Sequence, residues 1–259
     1  MEFEGKAAIV TGTSGIGKAI AMRLARGGGK VLACGVDEAA NHQCEAEARE
    51  AGIAIHVQEC DVSNPSDVRQ AVGWAVSSFG GVDILANAAA IHPFGDVLET
   101  DLETWNRCLS VNVTGIFLFA KFSIPEMKKR GGGAIVNLAS VQGHACQRGV
   151  AAYATSKGAI LSLTRALALD HAADNIRVNS ISPGSIATPM LERAARIFSP
   201  DIPVERVFER FGQAHPLGRV GTPEEVAELA AFLLSSRAGF CTGGDYLIDG
   251  GLKAGIAVK

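Results

Sequence analysis

The feature that most constrains this chain is an alternation. Short runs of β-branched and other apolar residues recur between longer stretches whose apolar positions repeat with the helical period. Residues 7–11, 30–34, 53–58, 82–87, 134–139 and 176–181 read as strands, with a last short one at 246–248. These runs are almost continuously apolar, as strands covered on both faces must be, and helices separate them, so the connections are βαβ units feeding a parallel sheet. The expected fold is α/β: a single domain over 1–259, built on a doubly wound parallel sheet of about seven strands with helices on both faces. Helix starts are legible too. Thr100 with Glu103, and Thr222 with Pro223 and Glu225, have capping-box spacing, and Pro65 suits a first helical position. The least regular stretch is 183–221, rich in Pro, Arg and Phe; residues 184–220 are expected to form a lid.

Composition narrows the function. A net charge of -3 offers no basic surplus for backbone phosphates, which argues against a nucleic-acid partner. The opening MEFEGKAAIV lacks the basic region and longer apolar run of a secretory leader, and no run of about 18 apolar residues suggests a membrane span. Cys34, Cys44, Cys60, Cys108, Cys146 and Cys241 are scattered, with no paired spacing and no histidine at ligand distance. Neither disulfides nor a metal site is expected, and a cytoplasmic location fits.

The first strand runs into Thr11-Gly12-Thr13-Ser14-Gly15-Ile16-Gly17 and then into a helical pattern. Glycine there lets backbone approach a pyrophosphate without a Cβ clash, and the free amides and dipole of a helix N-terminus attract the anion. A tight strand-to-helix turn would use the same residues. The second strand ends in Cys34-Gly35-Val36-Asp37, with no Arg or Lys to accept a 2′-phosphate, so the expected cofactor is NAD, with NADP left open. Asp37 reads equally as a ribose ligand or as the N-cap of the next helix.

Residues 151–173 form a strongly helical stretch that carries Tyr153 and Lys157, one turn apart on one face. A phenol near pKa 10 is a poor base, and a nearby ammonium favours the phenolate; a drop of roughly three units corresponds to about 4 kcal/mol. Tyr153 could then exchange a proton with an alcohol or ketone. Ser140 ends the fifth strand, at the carboxyl edge where α/β sheets place their sites, within reach of the reacting oxygen.

Together these motifs resemble the short-chain dehydrogenase/reductase family over essentially the whole chain. The matches are the Thr-Gly loop before Gly15-Ile16-Gly17, Asp61-Val62, Asn87-Ala88-Ala89, Asn112-Val113-Thr114-Gly115, Ser140 thirteen positions before Tyr153, Tyr153-x-x-x-Lys157, and Pro183-Gly184 leading to Thr188. The resemblance implies a Rossmann-type fold and a nicotinamide-dependent oxidoreductase for a secondary alcohol or ketone. In it Ser140 would polarise the substrate oxygen and Tyr153 would be the acid/base. Lys157 would also hold the nicotinamide ribose, and Asn112 would anchor a proton relay. Gly12, Ser14, Gly15, Ile16 and Gly17 would cradle the pyrophosphate. Asp61 and Val62 would meet the adenine, Asn87 and Ala88 the adenosine side, and Pro183, Gly184, Ile186 and Thr188 the nicotinamide.

Three positions depart from the family pattern. Only Thr13 and Ser14 separate Gly12 from Gly15, one residue fewer than usual; Ala90 replaces a glycine; and Gly35 stands where many NAD-using relatives carry an acid. The first departure motivates one rival, a nucleotide-binding regulator without turnover. A 3-oxoacyl thioester reductase is a second, since Arg193 and Arg196 in the lid could meet an anion. An enoyl reductase is a third, but relatives of that kind space Tyr and Lys by six intervening residues, and here there are three. His92, Gln142, His144 and Gln147 lie near the expected mouth, with Cys146 beside them, and their polarity favours a hydroxylated small molecule such as a sugar or polyol. Surplus apolar residues in 101–129, 151–173 and 255–258, together with the habit of relatives, give a homotetramer as the expected assembly.

Overall fold

The computed structural model describes residues 1–255. β1 (Ala7–Thr11), β2 (Lys30–Gly35), β3 (Ile55–Glu59), β4 (Ile84–Asn87), β5 (Gly133–Leu138), β6 (Ile176–Pro183) and β7 (Asp245–Ile248) form one sheet in the order β3-β2-β1-β4-β5-β6-β7. Every pairing is parallel. The helices are α1 (Gly15–Arg26), α2 (Glu38–Glu50), α3 (Pro65–Phe79), α4 (Leu102–Leu109), α5 (Gly115–Lys129), α6 (Ala151–His171), α7 (Pro189–Phe198), α8 (Val204–Gln213) and α9 (Pro223–Leu234).

Strand alternation divides the core between two faces. Ile9, Leu32, Leu85, Ile135 and Val178 pack with Phe119, Ile124 and Met127 of α5 and with α3. Their neighbours Ala8, Val10, Val31, Ala33 and Val136 pack with Ile20 and Leu24 of α1 and with α9. Winding proceeds outward from β1 in one direction and then from β4 in the other, so the carboxyl ends of β1 and β4 part their loops to opposite sides and leave a crevice between them.

Boundaries differ from expectation where backbone hydrogen bonds have other uses. The third strand starts at Ile55, not 53, because the Ile53 N–H closes the end of α2 on the Ala48 carbonyl at 3.0 Å. α4 is capped by Asp101, whose Oδ1 accepts the Thr104 N–H at 2.7 Å, while Thr100 Oγ1 donates to the Asp96 carbonyl. The carboxylate is the stronger acceptor at a helix N-terminus, so the cap lies one residue later than Thr100. The second expected box forms: Glu225 N–H donates to Thr222 Oγ1, and Thr222 N–H to Glu225 Oε2. Asp83 anchors the opposite edge of the sheet, accepting from Ala7 N–H at 2.9 Å and pairing with Lys6 and Arg130.

The helix expected over 101–129 is continuous but not uniform, because a π turn, Ser110–Thr114, joins α4 to α5. By length and hydropathy this 28-residue helix could cross a membrane, yet more than half of its most apolar window is buried in the core. The expected lid is more regular than its composition suggests, holding α7 and α8. The apolar tail expected at 255–258 lies, beyond Gly255, outside the described residues.

Candidate active site

Register brings the site together. Thr11 of β1, Asn87 of β4 and Asn137 of β5 lie side by side, so three strands deliver their following loops to one edge. Thr11 Oγ1 accepts the Ala88 and Ala89 N–H groups, both at 3.0 Å, and ties the loop after β4 to the one after β1. Asn87 donates to Asn137 Oδ1 at 2.8 Å, and Asn137 donates to Thr164 Oγ1 of α6, while Asn87 Oδ1 is buried without a partner.

At the β1–α1 turn Gly12 has φ +93° and Gly15 has φ +50°, values that disfavour any side chain. A Cβ on Gly17 would overlap the Gly12 carbonyl, so α1 presses directly on the turn. Ser14 caps α1 without engaging its side chain, and the first turn carries no acid, leaving amides and a bare dipole to meet an anion. This cradle fits the diphosphate of a nicotinamide dinucleotide despite the missing residue. Ser14 and Gly15 border an outer groove with Thr13 and Lys18, while Ile16 faces the interior chamber.

That chamber, about 600 Å³, runs beneath the lid. Ala88, Ser140, Tyr153, Lys157, Pro183, Gly184, Ile186 and Thr188 line it, together with His92, Gln142 and Gln147. Ala90 lines it as well, its methyl group accommodated. The lid contributes Met190, Leu191, Ala194, Phe198 and Phe211, an apolar roof the sequence signalled only as an irregular stretch rich in Phe.

Tyr153 and Lys157 are buried on one face of α6. Burial pushes the Tyr153 phenol up to about 12, and the neighbouring Ser140 hydroxyl pulls back part of that rise. Burial also holds the Lys157 ammonium down, at about 8. The expectation of a lowered phenol thus meets a stronger effect. The Lys157 Nζ donates to the Leu138 carbonyl at 2.7 Å and lies 5.4 Å from the Tyr153 ring centre, close enough to attract a phenolate but not to outweigh its loss of solvent. His92 packs against Tyr153 at a tilt, with ring centres 3.9 Å apart. Burial first, then the Lys157 and Arg193 charges, push this imidazole down to about 4, so it is neutral at ordinary pH.

Asn112 lies behind this wall, in the π turn and fully buried. Its amide exchanges two hydrogen bonds with the Ile91 backbone, accepting the N–H at 2.8 Å and donating to the carbonyl at 2.9 Å, and a further one reaches Ser156 Oγ at 3.0 Å. A π turn displaces one helical residue from the regular ladder, and here it commits the Asn112 amide to Ile91 and Ser156; Asn112, expected in the reaction centre, does not itself line the chamber.

Asp37 takes one of its two expected roles, and two other residues stand otherwise than expected. Asp37 engages its carboxylate as the α2 cap, accepting Ala40 N–H at 2.9 Å. His144, expected at the mouth, turns away: its Nε2 lies 2.7 Å from Asp245 Oδ2, in a polar cluster with Ser182, because the short 3-10 turn after Ser140 carries it toward β7. Asp61 lies outside the chamber and is held by Ser63 and Arg107, which keep its carboxyl below the usual range against the opposing effect of burial. Val62 is buried against Gly115. Sequence reasoning missed His215. Its Nδ1 faces the Phe211 carbonyl at 2.9 Å and its Nε2 accepts the Ser185 N–H at 3.1 Å, clamping the loop after β6 to α8. A histidine between two irregular segments gave no periodic signal.

The family model described as enoyl-(acyl carrier protein) reductase matches residues 10–253. The chain is 36% identical over 256 residues to meso-2,3-butanediol dehydrogenase of Serratia marcescens, covering 98% of this chain and 97% of that protein. The ligand-free aldohexose dehydrogenase of Thermoplasma acidophilum superposes with a TM-score of 0.90 at 34% identity, over 99% of this chain and 97% of that one. A variant of actinorhodin polyketide ketoreductase, solved with NADPH, superposes with a TM-score of 0.91 at 35% identity, over 95% of this chain and 97% of that one. On these likenesses the chain belongs to the short-chain dehydrogenase/reductase family, as a nicotinamide-dependent oxidoreductase of alcohols and ketones.

Proposed function

We propose that this protein interconverts a small hydroxylated secondary alcohol, such as a polyol or sugar, and its ketone with NAD as the cofactor. The observation that carries this reading is the chamber lining, which brings Tyr153, Ser140 and Lys157 together with Ile16 of the glycine turn. A nicotinamide held there by the glycine cradle and Lys157 would supply the hydride acceptor or donor for the carbinol carbon. In the oxidising direction the phenolate form of Tyr153, a minor species at neutral pH, takes the hydroxyl proton and becomes the phenol, Ser140 holds the reacting oxygen, and the Lys157 charge stabilises that phenolate. In reduction the phenol, protonated at neutral pH, donates that proton back. The lid roof excludes water from the exchange.

The polar wall supports a hydroxylated substrate. Gln142 Oε1 and His92 Nε2 are buried without partners, and a second substrate hydroxyl would satisfy either. The names of the similar diol and aldohexose dehydrogenases point the same way. The three-residue spacing of Tyr153 and Lys157 favours carbonyl over enoyl chemistry. We also place the protein in the cytoplasm and expect a homotetramer, which the exposed Phe117, Leu169 and Phe240 support as surface for partner subunits.

The test is reduced-nicotinamide absorbance across polyols, sugars, apolar ketones and 3-oxoacyl thioesters with both cofactors, repeated for Tyr153→Phe. Turnover of hydroxylated alcohols with NAD, falling about 10²- to 10⁴-fold in the variant, is expected. Turnover confined to thioesters would overturn the substrate, and nucleotide binding with no turnover would favour the regulator.

A further inference from the structure

The end of β2 carries no charged reader for the adenosine ribose. Gly35 replaces the acid that the family pattern places there, Asp37 is engaged as a helix cap, and Val36 is exposed. Nor could an acid be built at position 35 on this backbone. A Cβ there would overlap Thr13 Oγ1 and would stand 2.5 Å from Asn41 Oδ1 and 2.9 Å from Thr13 Cγ2. Thr13 is only 4% exposed, belonging to the glycine turn that is one residue short. Asn41, on the first turn of α2, is 7% exposed. Its Nδ2 donates to the Gly35 carbonyl at 3.0 Å, but its Oδ1 is buried with no partner.

Two oxygens from separate elements therefore stand about as far from the absent Cβ as an aspartate's own carboxylate oxygens would. We propose that Thr13 and Asn41 form a neutral ribose-recognition site, accepting the hydrogen bonds of the adenosine ribose hydroxyls in place of the carboxylate. The proposal rests on the nicotinamide-dinucleotide reading of the crevice. It explains why the shortened turn and Gly35 occur together: the turn brings Thr13 into the space a residue 35 side chain would fill. It also gives a source of selectivity that needs no charge. A ribose hydroxyl donates to an unpartnered acceptor, whereas a 2′-phosphate brings only further acceptors, and the end of β2 supplies no cation to meet it.

The experiment is a binding measurement by calorimetry on the full chain, with NAD, its 2′-deoxyadenosine form and NADP. The proteins are wild type, Thr13→Val, Asn41→Ala and Gly35→Asp, each checked for an unchanged melting profile. Wild type is expected to prefer NAD over the deoxy form by about tenfold, the effect of one well-made hydrogen bond. Thr13→Val or Asn41→Ala is expected to bind both forms alike. Gly35→Asp, which restores the acid, is expected to weaken NAD about tenfold or more. Equal weakening of both forms in both variants would show a merely structural role and overturn the proposal, as would tighter NAD binding by Gly35→Asp or a wild type indifferent to the 2′-hydroxyl. A wild type that binds none of the nucleotides would sink the dinucleotide reading itself, a distinct outcome.

Discussion

Replacing Lys157 by Met tests whether the site stores a burial cost for the sake of chemistry. The ammonium is fully enclosed, and its value falls from the ordinary 10.5 to about 8. In the unfolded chain the group keeps its proton up to about 10.5, and in the folded chain it releases the proton above about 8. The unfolded state thus binds more protons between these values, and folding stability contributed by this position rises with pH across the window. Below pH 8 the folded protein bears the whole shift, about 3 kcal/mol at roughly 1.36 kcal/mol per unit; by about pH 10 less than about 1 kcal/mol of it remains. Met fills a similar volume without charge and leaves the Leu138 carbonyl unpaired at every pH, so that loss cancels in the comparison. Urea unfolding at about pH 7 and about pH 10, at one fixed protein concentration, should therefore show the stability of Lys157→Met relative to wild type drop by about 2–3 kcal/mol at the higher pH. An unchanged gap would refute the idea that burial dominates this lysine.

The activity of the same variant should fall at least about 10²-fold at neutral pH, as followed by nicotinamide absorbance. Because His92 titrates only near 4, the pH–rate profile from mildly acidic to alkaline conditions should carry no inflection that Phe at this position removes. Thr222→Ala should lower stability by about 1 kcal/mol through loss of the α9 cap, read by urea unfolding, with turnover intact. Leu85→Ala, emptying a fully buried position in the central sheet, should cost about 2–5 kcal/mol by the same measurement.

Most of the architecture was legible because both periodicities are strong: continuous apolar strands such as residues 7–11 allow no one-sided sheet, and Tyr153 with Lys157 declared their shared face by spacing alone. What escaped depended on competition between partners. Asp101 displaced Thr100 at the α4 amides, and only the structure decided between the two readings of Asp37, in favour of the helix cap. No local rule placed His144 on Asp245, about a hundred residues away in sequence, or His215 on Ser185. The phenol's rise was hidden for a similar reason, since spacing reveals a neighbouring charge but not the solvent lost around it.

The π turn that holds Asn112 has a bearing on how this chain tolerates change. Each residue of an α-helix turns the next face by about 100°, so the additional residue in the turn sets the azimuth of everything after it. Within it, Asn112 meets Ile91, Cys108 and Ser156; downstream, Phe119, Ile124 and Met127 look into the sheet. Excising a single residue from 110–114 would relax the segment to a plain α-helix, but it would force a choice between the amide behind the chamber and the hydrophobic ridge on the sheet. Length at this point is thus inherited jointly by the core and the reaction centre, and neither can be retuned there without the other.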